Sequence, residues 1–227
     1  MQLELQNIHK SYFNNLGTPQ RDVLIDVSLR INPVDSMAIV GPSGSGKSTL
    51  LNIMGTLDAP SSGKVWMNQT EITTLSEPKL AEIRNQKIGF IFQMHHLLPQ
   101  LNLIDNVLIP TIPQKDNVKK KAAVARAKEL LHTVGLSDKV HQLPGQLSVG
   151  ECQRAAVVRA LINQPELILA DEPTGSLDHD NSLILGELLS KIQKDYSLSI
   201  VVVTHSPELA SLMGTIYKLT NGKLIAQ

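Results

Sequence analysis

The chain has 227 residues, 42% of them hydrophobic and 19% charged, with zero formal net charge: enough for one large α/β domain with a full core, and no basic field to attract nucleic acid. Its single cysteine, Cys152, excludes an internal disulfide, and no apolar run approaches the ~20 residues that cross a bilayer. Met1 to Gln6 lacks the basic-then-apolar layout of a signal peptide, so the expectation is a soluble protein that meets membranes only through partners.

Leu3, Leu5 and Ile8 predict a first strand, and the alternation of Val23, Ile25, Val27, Leu29 and Ile31 predicts a half-buried second one. The apolar run Met37-Ala38-Ile39-Val40 predicts a third strand, followed by Gly41-Pro42-Ser43-Gly44-Ser45-Gly46-Lys47-Ser48 and a helix opening at Thr49. That string fits the phosphate-loop pattern G-x-x-x-x-G-K-[ST] in its required strand–turn–helix setting. Glycines let backbone N–H groups converge, the helix dipole adds positive potential, Lys47 offers a full charge to the β- and γ-phosphates, and the Ser48 hydroxyl suits Mg²⁺. The motif predicts binding of a nucleoside triphosphate.

Strands are predicted at Gly63 to Asn68 and at Lys87 to Phe92, the latter ending at Gln93, whose amide could touch Mg²⁺ or an attacking water. Residues 94–163 then lose strand character. Helices are expected from Val118 to Val134 and from near Ser148 to Asn163, and Lys119-Lys120-Lys121 is read as a solvated helix face. The block 94–163 is taken as a helical insertion, with 1–93 and 164–227 forming the α/β core. The continuous apolar runs Leu167 to Ala170 and Ser199 to Val203 predict buried parallel strands, a helix lies between them from His179 to Lys194, and Asn221-Gly222 predicts a terminal hairpin.

Asp171 and Glu172 stand at the end of one buried strand and His205 at the end of the next, where side chains face the ligand crevice of an open α/β sheet. Asp171 is expected to hold Mg²⁺, Glu172 to polarise a water, and His205 to sense the γ-phosphate. The adjacent pair His95-His96 is poorly disposed to chelate one ion, because neighbouring side chains diverge by about 100° on a helix and point apart on a strand.

Leu147-Ser148-Val149-Gly150-Glu151, placed before a helix, resembles the Leu-Ser-Gly-Gly-Gln signature of ATP-binding-cassette (ABC) ATPases. With the phosphate loop, Gln93, Asp171-Glu172, Ser176-Leu177-Asp178 and His205 in this order, the chain is similar to an ABC nucleotide-binding domain along its whole length. That resemblance implies a P-loop NTPase fold with a RecA-like core, an antiparallel β-subdomain and an inserted α-helical subdomain. It implies that Tyr12 stacks on adenine, where composition alone suggests a packed core aromatic. It also implies that the signature grips the γ-phosphate of ATP bound by a second copy, in a homodimer formed on ATP binding, with Asp178 at the interface. Val149 stands where the family has glycine, a poor residue for positive φ. Glu151 replaces glutamine and brings a carboxylate near the triphosphate.

Phe92 to Pro99 and Asn106 to Pro110 resemble the group of lipoprotein-releasing, MacB-type and FtsE-like ATPases, and the His-His-Leu-Leu-Pro string is most similar to the lipoprotein-releasing type. The similarity implies a peripheral subunit on the cytoplasmic face of the bacterial inner membrane, bound to two integral subunits of LolC/LolE-like or MacB/FtsX-like type. His95, His96 and Leu97 are expected to contact them. Kinase and GTPase readings fit less well: no Asn-Lys-x-Asp guanine motif is present, and a kinase has no need of Leu147 to Glu151 or His205. A soluble cassette acting on translation or DNA repair would need a second fused cassette, zinc insertions or basic extensions.

Overall fold

A computed structural model describes residues 1–13 and 19–227. In chain order the strands and helices are β1 (Leu3–Phe13), β2 (Pro19–Ile31), β3 (Ser36–Val40), α1 (Lys47–Met54), β4 (Ser62–Met67), β5 (Thr70–Glu71), α2 (Glu77–Lys87), β6 (Ile88–Ile91), α3 (Leu103–Leu108), α4 (Asn117–Thr133), α5 (Val149–Leu161), β7 (Leu167–Asp171), α6 (His179–Asp195), β8 (Ser199–Thr204), α7 (Pro207–Ser211), β9 (Thr215–Thr220) and β10 (Lys223–Ala226). They build two sheets. One is antiparallel in the order β2-β1-β4-β5; the other runs β10-β9-β3-β8-β7-β6, parallel from β9 to β6 with β10 as an antiparallel edge.

The larger sheet is buried on both faces. Along β7, Leu167 and Leu169 face a core shared with α1 and the antiparallel sheet, while Ile168 and Ala170 face a core shared with α3, α4, α5 and α6. Strands covered twice need no polar alternation, which is why they are continuously apolar in sequence. All three loops that carry the phosphate string, Asp171-Glu172 and His205 leave the carboxyl ends of β3, β7 and β8, which are adjacent and parallel. The topology therefore gathers these residues at one sheet edge.

Strict alternation along β2 does not hold. Val27, Leu29 and Ile31 are buried, but Leu24 is buried rather than Ile25. Asp26 adopts a left-handed φ of 56° opposite Asn7 at φ 50°, and the Asn7 amide donates to Asp26 Oδ1 at 2.8 Å. This bulge shifts the pairing by one residue, from Ile8 with Val27 to Lys10 with Leu24, and so exchanges the faces.

Residues 94–163 hold α3, α4, α5 and three short 3₁₀ turns. Helix α5 lies directly on β6, because Gly89 has no side chain: a Cβ there would stand 2.5 Å from the Ala160 carbonyl oxygen. Helix α2 was not anticipated in sequence; it buries no residue, so it leaves no apolar stripe to detect.

Within α3, Asn106 is fully buried, accepts from the Leu98 N–H at 2.7 Å and donates to the Leu98, Leu101 and Asn102 carbonyls. It holds the loop that follows β6 against the helices. Asn106→Ala should lower the unfolding free energy by about 2–4 kcal/mol, since a cavity and unpaired buried carbonyls are left together. A urea midpoint that falls with an unchanged slope checks this; a shift below about 0.5 kcal/mol would contradict it.

Candidate functional site

The turn between β3 and α1 is shaped by glycine. Gly44 and Gly46 have φ of 72° and 103°, in the left-handed half of backbone space. At Gly41 a Cβ would lie 2.3 Å from the Leu219 carbonyl oxygen, so only glycine permits this close approach. Helix α1 starts without a side-chain cap and without an acidic residue in its first turn. Its leading N–H groups are left for an anion. Ser45 Oγ is buried without a partner among the described residues. Lys47 is nearly buried, and its ammonium donates to the Gly41 and Pro42 carbonyls at 2.9 and 3.2 Å.

Opposite this cradle stand the carboxylates. Ser48 Oγ donates to Asp171 Oδ1 at 3.0 Å. Burial raises the Asp171 pKa above its ordinary value and the neighbouring Glu172 adds to this, while the Ser48 hydrogen bond and Lys47 oppose it. Glu172 takes a left-handed φ of 45°. Such a conformation costs a non-glycine residue about 1–3 kcal/mol and is kept only where the surroundings enforce it. Here the Glu172 N–H donates to the Val203 carbonyl at 2.8 Å, its Oε1 lies 3.9 Å from the Lys47 ammonium, and its Oε2 lies 2.8 Å from His205 Nδ1 and accepts from the His205 N–H at 3.2 Å. Ser43, Gly44, Gly46, Lys47, Ser48, Thr49, Gln93, Glu172 and His205 line one cleft of about 670 Å³. The hydroxyl of Ser48, the carboxylate of Asp171 and the amide oxygen of Gln93 are hard oxygen donors of the kind that suit Mg²⁺. The leading N–H groups of α1 and the Ser45 hydroxyl, which has no partner among the described residues, fit phosphate oxygens.

The signature residues are not among those lining this cleft. Ser148 caps α5 in a capping box: its Oγ accepts from the Glu151 N–H at 3.2 Å, and Glu151 Oε2 accepts from the Ser148 N–H at 2.8 Å. Val149 is the first residue of α5, is half exposed, and is absent from the positive-φ residues, so its Cβ costs no backbone strain. The concern about a left-handed glycine at this position is therefore removed. The Glu151 carboxylate is committed: it is bonded to the Ser148 N–H and paired with Lys139 Nζ at 3.0 Å. The Ser148 bond first and then Lys139 hold its pKa below the usual carboxylate range. Gly150 packs on Asn181, where a Cβ would meet Oδ1 at 2.6 Å, and Asn181 is held in turn by the Asp178 carboxylate that caps α6. Ser176 Oγ donates to the Gln93 carbonyl at 3.0 Å, and Leu177 packs on the helical core.

Comparison with known proteins decides the family. A sequence model described as "ABC transporter" matches residues 24–175. The chain belongs to the ABC transporter family. This ABC ATPase is 46% identical over 222 residues to the lipoprotein-releasing system ATP-binding protein LolD of Shewanella oneidensis, covering 98% of this chain and 95% of that protein. It is 43% identical over 224 residues to LolD of Geobacter metallireducens, covering 99% and 98% of the two chains. Among solved structures, the dimeric bacterial ABC transporter cassette MJ0796 superposes with a TM-score of 0.87 at 36% identity, covering 98% of this chain and 96% of that one. A dimeric post-hydrolysis state of MJ0796 bound to ADP and Pi gives a TM-score of 0.86 at 33% identity, over 99% and 97% of the two chains.

In this ABC fold Tyr12 lies on β1 and is not among the residues that line the phosphate cleft. Its ring is 45% exposed rather than packed in the core, with the Lys10 ammonium 5.0 Å from its centroid and its hydroxyl 3.1 Å from Asp58 Oδ2. The residues expected to meet partners divide. His96 is exposed, has a left-handed φ of 47°, and lines a groove of about 460 Å³ between β6 and the helices together with Arg84, Asn85, Phe92 and Arg159. His95 is half-buried; burial first and the Arg159 guanidinium next lower its pKa, and its Nδ1 accepts from the Leu97 N–H at 3.0 Å. Leu97 is 5% exposed and packs in the helical core, so it must be withdrawn as a partner contact; Met94 and Leu98 are the exposed apolar residues of this loop. Sequence reading passed over Gln153 and Arg159 on α5, which hold this loop by its carbonyls, and Lys139, which neutralises Glu151. A glutamine and an arginine among the alanines and valines of this helix were the available signals.

Glu151→Gln keeps the capping box and removes the charge. It should cost about 0.5–1 kcal/mol at pH 7, the worth of a partly exposed ion pair at a helix N-terminus. Because the folded pKa is depressed, the carboxylate's contribution is complete above its unfolded value near 4.3 and is lost as pH falls through the folded value. Denaturation curves of the two proteins should therefore converge in acid; a gap that widens below pH 4 would contradict the assignment.

Proposed function

We propose that this chain is the ATP-hydrolysing subunit of a bacterial lipoprotein-releasing ABC complex, held on the cytoplasmic face of the inner membrane by two integral subunits. Similarity along almost the entire length of LolD proteins supports the system, and the absence among the described residues of any helix able to cross a membrane accords with a peripheral subunit. The observation that carries the chemistry is the Glu172 carboxylate, fixed between Lys47 and His205 at the mouth of the phosphate cradle.

The triphosphate seats on the N–H groups of the Gly41 to Thr49 turn, with Lys47 shifting from the loop carbonyls to the β- and γ-phosphates. Tyr12, exposed on β1, offers its ring to the adenine. Mg²⁺, which Ser48, Asp171 and Gln93 would hold, supplies neutralisation of phosphate charge. Glu172 orients the attacking water and receives its proton, while His205 fixes the Glu172 carboxylate and faces the γ-phosphate. Water adds to phosphorus, the bond to the β-phosphate oxygen breaks, and ADP and phosphate result.

The signature residues lie outside the chain's own cleft. On this reading Leu147 to Glu151 close over the nucleotide of a second copy, with Ser148, Gly150 and the N–H groups of α5 facing its γ-phosphate and Ser176 to Asp178 beside them. Loss of that phosphate loosens the pair. The opening passes through His95, His96 and the groove beside them to the membrane subunits, which extract lipoprotein without passing it through a channel.

Glu172→Gln should bind ATP, accumulate as dimer and lose at least about 100-fold in kcat. Hydrolysis at the wild-type rate would remove Glu172 as the base. Replacing His95 and His96 by Ala should leave basal ATPase within about twofold and abolish its stimulation by co-purified membrane subunits. Full stimulation would take this loop out of the coupling path, and a division-protein partner in place of lipoprotein-release subunits would move the chain to the FtsE-like group.

A further inference from the structure

We infer that Gln153 is a positioning residue that locks the signature helix to both Gln93 and Glu172, so that the grip on one nucleotide sets the geometry at the other. Gln153 lies on α5 little more than one turn beyond Ser148, with no exposed surface. Its amide nitrogen donates to the Phe92 carbonyl at 2.7 Å and to the Pro173 carbonyl at 2.9 Å. Phe92 immediately precedes Gln93, and Pro173 immediately follows Glu172. One NH₂ group thus spends each of its hydrogens on a different strand end of the hydrolytic cleft.

The neighbouring contacts tighten this arrangement. Gly175 abuts the Gln93 amide, where a Cβ would stand 2.9 Å from Nε2, and Ser176 Oγ donates to the Gln93 carbonyl at 3.0 Å. The two segments tied by Gln153 also bear directly on each other. Farther along α5, Arg159 donates to the His95 and His96 carbonyls at 2.6 and 2.7 Å, so the helix holds the loop after β6 at two separated points. Packing alone does not account for a glutamine here. Ala155, Ala156, Val157 and Val158 on the same helix are buried and apolar, and Gln153 Oε1 is buried without a partner among the described residues. An apolar residue would avoid that orphaned acceptor. What only an amide supplies is the two-carbonyl fork.

The inference rests on the dimer reading, in which α5 presents its N-terminus to the other copy's nucleotide. Closure then pulls on α5, and Gln153 carries the displacement to Gln93 and Glu172. The test uses the full chain with Gln153→Met, which keeps length and removes the donor, and Gln153→Glu, which turns a carboxylate oxygen on two carbonyls. Each is assayed alone for steady-state ATP hydrolysis, and in a Glu172→Gln background for sedimentation with ATP. The expected result is ATP affinity of the monomer within about twofold of the parent, kcat lowered at least about tenfold, and the ATP-dependent dimer weakened at least about tenfold. Wild-type kcat in either folded variant would overturn the inference. So would ATP affinity and thermal midpoint falling in step with kcat, or failure of both variants to fold, since these mark a packing role. If the Glu172→Gln parent stays monomeric with ATP, the dimer reading itself fails and the inference with it. If the parent dimerises and its Gln153 variants dimerise as tightly, only the role of Gln153 fails.

Discussion

Charge balance around a triphosphate constrains everything else in this molecule. Among the described residues that line the cleft Lys47 is the one permanent cation, and it faces Glu172 with Asp171 close by. These side chains alone do not neutralise a polyanion. On the proposed reading the deficit is met by backbone N–H groups, by a divalent ion on the hard oxygen donors of Ser48, Asp171 and Gln93, and by a second source of positive potential in the other copy. Each of these leaves a mark. The glycines open the backbone to anions, burial of Asp171 raises its pKa and makes a neighbouring positive charge welcome, and α5 has a capped helix N-terminus outside the residues that line the chain's own cleft.

The second source explains the care taken at the signature. A carboxylate at Glu151 would oppose an approaching phosphate, yet its oxygens are spent on the Ser148 N–H and the Lys139 ammonium. The helix N-terminus keeps its remaining donors, and the local charge is cancelled. On the proposed reading this lets a chain with valine and glutamate in its signature serve the same trans contact. The rigidity of α5 matters equally. It is pinned to β6 through Gly89, to the strand ends through Gln153 and to the loop after β6 through Arg159, so it is tied to that loop at several separate points.

What could be read in sequence was what depends on backbone conformation and periodicity. The phosphate turn needs glycine at fixed positions, the twice-covered strands need continuous apolar runs, and Asn221-Gly222 needs left-handed residues; each is visible in one dimension. What escaped depends on pairs far apart in the chain. The bulge at Asp26 is fixed by Asn7, the shielding of Glu151 by Lys139, and the burial of Leu97 by the helices closing over it. The partners of Gln153 carry no signal in one dimension, because Phe92 and Pro173 meet its amide only in the folded chain.

The central claim is that one nucleotide is held by unlike surfaces of two copies, and complementation tests it most directly. Lys47→Ala loses the cradle, and Ser148→Arg loses the trans contact while keeping the cradle; each is placed in a Glu172→Gln chain with a distinguishable tag. Neither should associate with itself in the presence of ATP. Mixed, they retain one composite site, and sedimentation should reveal an ATP-dependent one-to-one complex. A mixture that remains as monomeric as its components, beside a Glu172→Gln control that dimerises, would contradict the account.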